Sequence, residues 1–323
     1  MSEKLAGYVS GSSVELVRVG RDGDRLLLLD QQRYAAREFS SFDAILQLYL
    51  KRSGTTFDTA CIGVAGPVIG GEVKPTNLPW HIASMKIEEQ FCFRQVRLVN
   101  DIVATAHGLP HLTLDKFYTI NQGVQVPCGT IGLIAAGSGL GEALIHDDCS
   151  RKIQYASEGG HADFAPGNQL EMELWQYLYS ELGHVEVEDV VSLRGLERIY
   201  EFLIDMQGEE RGDWYENAKD RPAAVTEKAL SGSDETAIHA LDVFIDCYAS
   251  EAANLALTGM TLGGIFVGGR IAPQIITAMD QGRFMQRFVK KGKMELLLER
   301  MPVGIIIEEK TALMGAAALA LTL

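Results

Sequence analysis

The alternation of apolar and polar residues at the start of the chain predicts three consecutive strands, followed by alternating helices and strands. Gly11-Ser12-Ser13 forms a tight turn between the first two strands, and Asp22-Gly23 is a hairpin signal before the third. Apolar residues at helical spacing mark the first helix. The elements predicted for this part are strands at 5–10, 14–19, 25–34, 60–65 and 96–99, and helices at 42–51 and from residue 102.

The same opening recurs after residue 130. A second apolar strand is followed by the turn Gly137-Ser138-Gly139, another strand, a turn at 147–150 and a third strand. Because both sets carry a glycine-bearing turn after their first strand, we predict an internal duplication. Two similar halves would place both turns at a shared cleft, where a ligand is held from two sides. The strands predicted here lie at 130–136, 140–146 and 152–156.

The second half of the chain is mainly helical by its apolar spacing. A strand at 263–270 is bracketed by glycine pairs, which allow a flat ligand to approach the backbone closely. The segment 207–221 is polar and acidic, which is typical of a mobile surface loop. The other predicted elements are helices at 169–182, 188–205, 223–229, 233–260 and 312–322, and a final strand at 303–307.

Length and charge narrow the class of protein. With 323 residues, 47% of them hydrophobic, the chain is long enough for two domains of ordinary size. Its longest apolar run, 312–323, is shorter than the ~18 residues of a membrane span, and residues 1–5 contain no signal core. The net charge of −14 argues against nucleic acid and membrane surfaces as partners. A small phosphate ligand is still compatible with it, because glycine amides and a metal ion bind phosphate locally.

The cysteine usage indicates the compartment. There are five cysteines, an odd number, and no C-x-x-C pair. This pattern predicts neither a disulfide framework nor a zinc site. We therefore expect a protein of the reducing cytoplasm.

The densest group of reactive side chains lies between Glu158 and Phe164. Two glycines separate the Glu158 carboxylate from the His161 imidazole, and Asp163 follows. Because glycine adopts backbone angles that other residues avoid, both side chains are able to reach one small polar target. A polar loop that caps a helix is the alternative interpretation.

Asn100 and Asp101 lie at the carboxyl end of a predicted strand, which is where open α/β sheets bind ligands. An aspartate at this place accepts a proton from a substrate hydroxyl, as phosphoryl transfer requires. The alternative is that the two residues only cap the helix that follows.

The glycine turn at 137–141 is a further candidate, since its amides are able to face a phosphate. Its spacing fits neither the dinucleotide fingerprint nor a P-loop, and glycine turns often bind no ligand.

Glu188 is expected at the start of a helix, where the helix dipole favours a carboxylate. The sequence contains no zinc-protease or serine-hydrolase motif. Four scattered histidines are assigned to packing or to the surface: His107, His111, His146 and His239.

Eight segments form a recognisable set: Gly66-Pro67, Thr76-Asn77 with Trp80, Leu98 to Asp101, Gly137 to Gly141, Glu158 to Pro166, Glu181 to Val185, Asn254 to Leu257 and Gly263 to Gly269. Together they resemble the bacterial glucokinase family, the hexokinase-like branch of the actin-like ATPase superfamily. The resemblance runs through most of the chain. It implies an α/β, actin-like ATPase (RNase H-like) fold with two similar α/β domains around a central cleft. The small domain would comprise 1–112 plus 303–323, and the large domain 113–302.

The resemblance also implies a function, the transfer of the γ-phosphate of ATP to the 6-hydroxyl of glucose or a related hexose, with ATP and Mg²⁺ as cofactors. Asp101 would be the general base, and the family assembles as a homodimer. The residues implied at the sugar are Asn100, Asp101, Glu158, His161 and Glu188. Those implied at the nucleotide are Gly11, Ser12, Gly137, Ser138, Gly139, Gly141 and Gly268.

The chain departs from the family at its first phosphate loop. The family opens with Asp-x-Gly-Gly-Thr-Asn, whose aspartate serves the Mg²⁺ site, whereas the matching run here begins with Tyr8 and ends with Ser13. A tyrosine offers no anionic oxygen to Mg²⁺ at pH 7. Leu193 also follows Ser192 where the family tends to have glycine. The sugar half of the expected site is therefore complete and the phosphate half is altered.

Two hypotheses follow. The first is a glucokinase, working or weakened, in which ATP and water hold Mg²⁺ without a direct protein ligand. Glu142, an acid in an apolar strand, would be the only helper, unless it simply faces outward. The second is a catalytically weak or inactive glucokinase-like protein that binds sugar and acts as a sensor or regulator by domain closure. A dehydrogenase is disfavoured because the dinucleotide fingerprint is missing.

Overall fold

Two units make up the fold, and each is built on its own β-sheet. The computed structural model describes residues 3–23, 25–75 and 77–323, so Thr76 of the segment Thr76-Asn77 lies outside the described residues. The first unit comprises Met1–Leu114 and Glu308–Leu323, and the second comprises Asp115–Ile307.

Strands and helices are numbered in chain order. The strands are β1 (Glu3–Val9), β2 (Ser13–Asp22), β3 (Arg25–Ala35), β4 (Phe57–Val64), β5 (Glu72–Val73), β6 (Ile82–Ala83), β7 (Gln95–Asn100), β8 (Phe117–Asn121), β9 (Ile131–Ala136), β10 (Leu140–Asp147), β11 (Lys152–Ser157), β12 (Gly264–Gly269) and β13 (Val303–Ile306). The helices are α1 (Phe42–Ser53), α2 (Ser84–Phe91), α3 (Asp101–Gly108), α4 (Gln169–Leu182), α5 (Leu193–Gln207), α6 (Asp213–Glu216), α7 (Arg221–Ser231), α8 (Glu235–Gly259), α9 (Ile276–Met279), α10 (Arg283–Val289), α11 (Glu295–Glu299) and α12 (Thr311–Ala320). Within the described ranges, no helix has both the length and the apolar character needed to cross a bilayer.

The sheet of the first unit has the order β3-β2-β1-β4-β7. β1 pairs antiparallel with β2 and parallel with β4, and β4 pairs parallel with β7. The three parallel strands therefore end at one edge of the sheet, where Val9, Val64 and Asn100 lie side by side. This edge carries the candidate residues of the first unit.

The second sheet has the order β11-β10-β9-β12-β13-β8. Its first five strands repeat the order and the directions of the first sheet, with an antiparallel meander followed by two parallel strands. β8 is added antiparallel at the far edge. The predicted α/β class with two similar halves is thus confirmed.

Alternate residues of β1 face two separate cores in the first unit. Leu5 and Val9 pack in the core that includes the apolar face of α1, whereas Ala6 packs in the core that includes α12. α3 and α12 lie very close together, since a Cβ at Gly315 would overlap the carbonyl of Ala104. A glycine is therefore required where these two helices cross.

The core of the second unit surrounds α8, the longest helix among the described residues. Tyr248 of this helix is fully buried, and its hydroxyl satisfies two backbone groups of the sheet. It accepts the Ala136 N–H at 3.1 Å and donates to the Gly268 carbonyl at 3.1 Å. These bonds join α8 to the ends of β9 and β12, next to the glycine turn.

Two elements differ in place from the sequence prediction. β13 pairs with β12 and β8, so it belongs to the sheet of the second unit and not to the domain of 1–112 plus 303–323. The helix predicted at 188–205 begins only at Leu193, because the Ser192 hydroxyl accepts the Gly195 N–H at 3.0 Å and caps it there. Glu188 lies in a separate 3-10 turn, Val187–Asp189.

The segment 207–221 is mostly exposed, as predicted, but it is not a continuous loop. It contains α6, and the side chain of Tyr215 is fully buried. The Tyr215 hydroxyl donates to Glu201 at 2.9 Å, and the Arg221 guanidinium lies 4.9 Å from the centre of its ring. One buried aromatic residue thus anchors an otherwise polar surface segment, which its composition did not indicate.

A disulfide bond joins Cys128 to Cys149. It connects the segment before β9 to the turn between β10 and β11, and the two Cα atoms are 5.1 Å apart. The prediction from cysteine usage was therefore wrong at this pair, because the antiparallel pairing of β9 with β10 brings together two residues that are 21 positions apart. Cys61, Cys92 and Cys247 are free thiols.

Candidate active site

Asn100 and Asp101 lie at the shared carboxyl edge of the first sheet and begin α3. The Asn100 side chain donates to the Gly66 carbonyl at 3.1 Å, which fixes it against the turn after β4. Its Oδ1 atom and Oδ1 of Asp101 both accept the Ile102 N–H, at 2.8 and 2.9 Å. Both residues therefore cap α3, as the alternative interpretation proposed. A carboxylate has two oxygens and several lone pairs, so capping is compatible with a second role for Asp101.

Tyr8 takes the place of the expected metal-binding acid. It lies on β1 opposite Glu15 of β2. Burial, reinforced by the negative charges of Asp101 and Glu15, raises the pKa of the Tyr8 hydroxyl well above its ordinary value. The side chain is therefore a neutral phenol at physiological pH, and it supplies no anionic ligand for a metal ion.

A serine closes the turn that follows Tyr8. The Ser10 hydroxyl donates to the Ser13 carbonyl at 3.0 Å and accepts the backbone N–H groups of Ser12 and Ser13, at 3.3 and 3.0 Å. The predicted nucleotide contacts Gly11 and Ser12 thus lie in a turn whose amides already have protein partners at Ser12 and Ser13.

The corresponding turn of the second unit is held by residues from outside it. Glu188 accepts the Leu140 N–H through Oε2 at 2.7 Å, and the Leu193 N–H donates to the Gly137 carbonyl at 2.8 Å. Gly139 packs directly on the Glu188 carboxylate, because an added Cβ would lie 2.5 Å from Oε2. The structure therefore brings the glycine turn and Glu188 together. Ser138 lies within this turn, and Gly141 is the second residue of β10.

The Glu158 segment reaches the same place. Its residues Gly159–His161 form a 3-10 turn after β11, and a Cβ at Gly160 would overlap the Leu140 carbonyl. The His161 ring lies between two carboxylates. Its Nδ1 atom is hydrogen-bonded to Glu186, and its Nε2 atom is 4.0 Å from Glu158 Oε2.

These carboxylates change the acidity of the imidazole. The hydrogen bond to Glu186 raises the pKa of His161, and the negative charges of Glu188, Glu186 and Glu158 act in the same direction against partial burial. The surroundings of His161 therefore favour protonation, and a protonated ring donates from both nitrogens.

Glu186 is the residue that sequence reasoning missed. It lies two positions before Glu188, inside the stretch that follows the Glu181 to Val185 segment. A second histidine is close by, since His184 Nε2 is 2.7 Å from Asp163 Oδ1 and His184 Nδ1 is 3.8 Å from Glu186 Oε1. The signal available in the sequence was the spacing of His184, Glu186 and Glu188, which places an ionisable side chain at every second position.

Glu142 does not face outward. It lies on β10 and is 3% exposed, and the position of Gly159 leaves room for its carboxylate. Burial, and secondly the nearby Glu251, raise the pKa of Glu142 to about 8. The raised pKa favours the protonated carboxyl, and the side chain exposes almost no surface to an incoming metal ion. Over residues 3–23, 25–75 and 77–323 there is likewise no group of three His, Cys, Asp or Glu side chains arranged to hold a metal ion.

Gly268 lies inside β12 and is buried. A Cβ added at Gly268 would be 3.4 Å from Ile306 and 3.8 Å from Ala135. The Gly268 carbonyl accepts a hydrogen bond from the Tyr248 hydroxyl. Gly269, one residue later, is exposed at the end of the strand and has a left-handed φ of 84°. The predicted adenosine contact Gly268 is thus buried, and its neighbour Gly269 is exposed.

The site residues fall into two groups. The first unit contains Asn100, Asp101, Gly11 and Ser12. The second unit contains Glu158, His161, Glu188 and Gly268, together with the glycine turn at 137–141. In the first unit an amide and a carboxylate lie together at the start of α3, and in the second unit hydrogen bonds hold Glu188 and His161. Both sets consist of groups that bind hydroxyls.

The family model described as Glucokinase matches residues 5–323. The chain belongs to the glucokinase family. A glucokinase of Nostoc sp. is 33% identical, and the match covers 98% of this chain and 98% of the relative. The family residues named above therefore lie within a match that spans nearly the whole length.

Solved glucokinase structures have the same fold. The crystal structure of glucokinase from an Antarctic psychrotroph is similar with a TM-score of 0.86 and 27% identity, and each chain is covered completely. The glucokinase of Balamuthia mandrillaris, solved in complex with glucose, has a TM-score of 0.82 at 19% identity and covers 99% of this chain and 93% of its own. The actin-like ATPase fold implied by the sequence is thereby confirmed for this member of the glucokinase family.

Proposed function

We propose that this chain transfers the γ-phosphoryl group of ATP to the 6-hydroxyl of glucose. The observation that carries the proposal is the double role of Glu188. Its carboxylate binds the Leu140 amide of the glycine turn at 2.7 Å and also lies within electrostatic reach of His161. One residue thus joins the segment proposed for phosphate to the segment proposed for sugar.

In the reaction, Asp101 accepts the proton of the 6-hydroxyl of glucose. The oxygen of that hydroxyl forms the new bond to the γ-phosphorus, and the bond from the γ-phosphorus to the ADP oxygen breaks. Asp101 lies in the first turn of α3, where the helix dipole favours a negative charge. Asn100, Glu158, His161 and Glu188 hold the other hydroxyls. A sugar that lacks one of these would leave a buried polar group unpaired.

Mg²⁺ is proposed to enter as the ATP complex, where it neutralises charge on the phosphates. Gly137, Ser138, Gly139 and Gly141 would line the phosphates, with Gly11 and Ser12 from the other turn. Gly268 would lie near the adenosine. Neither Tyr8 nor Glu142 contributes a metal ligand in this proposal.

A homodimer and a cytoplasmic location complete the proposal. The supply of ATP favours the cytoplasm, whereas the bond between Cys128 and Cys149 counts against it, because disulfides are rare in reducing compartments. Thiol titration of protein taken directly from cells under acid quench would decide between the two, with five reactive cysteines expected in a reducing compartment and three otherwise.

A sugar-binding sensor is the second candidate. It is favoured by the first turn, where Tyr8 replaces the acid and Ser10 occupies the amides of Ser12 and Ser13. In this case glucose would bind without measurable phosphoryl transfer, and Asp101 would act only as a sugar ligand.

The deciding experiment combines calorimetry with a coupled assay for glucose 6-phosphate. For the kinase, Asp101→Asn is expected to lower kcat by roughly 10²–10⁴-fold, the usual contribution of a general base, with glucose binding retained. Asp58→Asn is the control, since it removes a carboxylate that pairs with Arg94 at 3.1 Å elsewhere in the same unit. Glucose binding without turnover in the unchanged protein would replace the kinase by the sensor.

A further inference from the structure

Glu186 contacts the imidazole of His161 but belongs to none of the groups proposed to touch sugar or ATP. Its Oε2 atom is hydrogen-bonded to His161 Nδ1. The other ring nitrogen, Nε2, faces Glu158. The His161 side chain is 52% exposed and the Glu186 side chain 32%. The ring is thus held at one nitrogen, and about half of the side chain is accessible.

The backbone fixes Glu186 in this position. Ala162 accepts the Val187 N–H at 3.0 Å and the Phe164 N–H donates to Val185 at 2.9 Å, so Asp163 pairs with Glu186 in a short antiparallel bridge. The residue after His161 is therefore tied to the residue after Glu186. The two side chains meet because their backbones run side by side.

The Glu186 backbone is also capped. Its N–H donates to Asp189 Oδ2 at 3.0 Å, and Asp189 forms an ion pair with Arg198 of α5. This chain of contacts runs from a helix of the second unit to the His161 ring. A side chain anchored in this way loses little entropy when it holds its partner in one orientation.

The charged groups that act on the His161 ring are carboxylates, and the nearby His184 is itself paired with carboxylates. Glu158, Glu186 and Glu188 act on it directly, and His184 is close to Glu186 but pairs more closely with Asp163. Removal of Glu186 leaves Glu158 and Glu188 as the carboxylates that stabilise the imidazolium. It also leaves Nδ1 without the acceptor that sets the plane of the ring.

We propose that Glu186 is a positioning residue for the sugar. It holds His161 through Nδ1, so that Nε2–H is directed to the side of Glu158 and donates to a sugar hydroxyl. This inference rests on the proposed function, because it assumes that His161 binds the substrate. It adds a residue that acts through His161 and does not itself touch the sugar.

Two substitutions separate orientation from charge. Glu186→Ala removes both, and we expect the KM for glucose to rise by about tenfold, the lower end of the range for a charged hydrogen bond that is partly exposed. Glu186→Gln keeps an acceptor for Nδ1–H and removes the charge, so a rise of only about threefold is expected near pH 6. Glu227→Gln on α7 is the matched control, because this glutamate is exposed and distant in sequence from the site.

The pH profile gives a readout that a purely structural role would not move. Glu186 favours protonated His161, so its loss makes the ring deprotonate at lower pH. The rise of the glucose KM with pH should therefore begin at a lower pH in Glu186→Gln than in the unchanged protein, as for loss of one opposite charge. The same shift should appear in the imidazole ¹⁵N resonances of His161 without any substrate, assigned with His161→Gln.

Failure of the inference and failure of the proposed function look different. If folded Glu186→Ala and Glu186→Gln keep the KM, the KM profile and the His161 titration of the unchanged protein, Glu186 has no positioning role. A parallel loss of thermal midpoint and kcat with an unshifted titration would also overturn it, because that is the pattern of a structural defect. Absence of glucose binding in the unchanged protein would instead reject the proposed function.

Discussion

The turn between β1 and β2 and the turn between β9 and β10 occupy the same position in two sheets of the same topology. Their neighbouring side chains differ. In the second pair of residues from the turn, the first sheet has Tyr8 opposite Glu15, whereas the second has Ala135 opposite Gly141. One turn is thus flanked by bulky polar residues and the other by the smallest residues available.

The two turns are also stabilised differently. Ser10 closes the first turn through its own hydroxyl, so this turn is held locally. Glu188 and the Leu193 amide hold the second turn from positions about 50 residues later in the chain. The comparison teaches that the pattern of strands fixes the topology, whereas a few side chains beside each turn decide whether it is tied to the rest of the site.

The largest effect in this comparison is expected for Gly139→Ala. The new methyl group would lie 2.5 Å from Oε2 of Glu188 and would displace that carboxylate from the Leu140 amide. Since Glu188 is shared by the turn and the proposed sugar site, we expect kcat/KM for glucose to fall by about 100-fold or more, as for loss of a partly buried charged hydrogen bond with misplacement of the substrate. Steady-state kinetics measure this, and unchanged kinetics would mean that Glu188 does not couple the two segments.

A pH experiment tests the third pair from the turn, where the buried Leu16 of the first sheet corresponds to Glu142 of the second. The pKa of Glu142 is raised to about 8 in the folded state, so the folded protein binds an extra proton between its ordinary value and about 8. Stability should therefore fall as pH rises through this window, by several kcal/mol.

Glu142→Gln should remove most of this pH dependence and retain turnover, because the neutral amide mimics the protonated carboxyl. Urea unfolding at pH 5.5 and 8 measures the first expectation, and the coupled assay measures the second. A variant without any turnover would restore Glu142 as a helper of Mg²⁺ and would contradict its assignment as a buried neutral acid.

Much of the fold follows from short-range pattern. The alternation in β1 and the hairpin signal at Asp22-Gly23 predict the meander, and helix α4 was predicted with its exact ends because Asn168 caps it and Gly183 follows it. The capping of α3 by Asn100 was likewise visible as a residue type at a strand end.

What the sequence did not reveal depends on contacts between distant segments. Glu186 meets His161 only because residues 162–164 and 185–187 pair through two isolated backbone bonds, which no periodicity signals. The contact between Cys128 and Cys149 requires the register of β9 and β10. Tyr215 is buried within a segment that is polar on average, so its composition gave the wrong environment.

A smaller effect is expected for Gly137→Ala, the matched partner of Gly139→Ala in the same turn. An added Cβ at Gly137 meets no atom within 4 Å, and its φ lies outside the left-handed region, so the fold should tolerate it. We expect an unchanged thermal midpoint and an unchanged KM for glucose. If the turn binds the phosphates of ATP, the KM for ATP should rise by about tenfold, because the methyl group occupies space that the phosphates need.

The result distinguishes the proposed role of this turn from that of a simple connection. An unaltered KM for ATP would show that the phosphates do not approach Gly137, and the nucleotide would have to be sought elsewhere. A fall in stability would contradict the open environment of this residue.

The smallest effect belongs to the first turn. Ser10→Ala removes the hydroxyl that bonds the Ser13 carbonyl and the amides of Ser12 and Ser13, and should lower the free energy of unfolding by about 1–2 kcal/mol. It also frees the amides of Ser12 and Ser13 from the hydroxyl that accepts them. If the freed amides bind the phosphates of ATP, the KM for ATP should fall slightly in Ser10→Ala although the protein is less stable. If the KM rises instead, the hydroxyl itself supports the nucleotide, and the two turns are more alike in function than their side chains indicate.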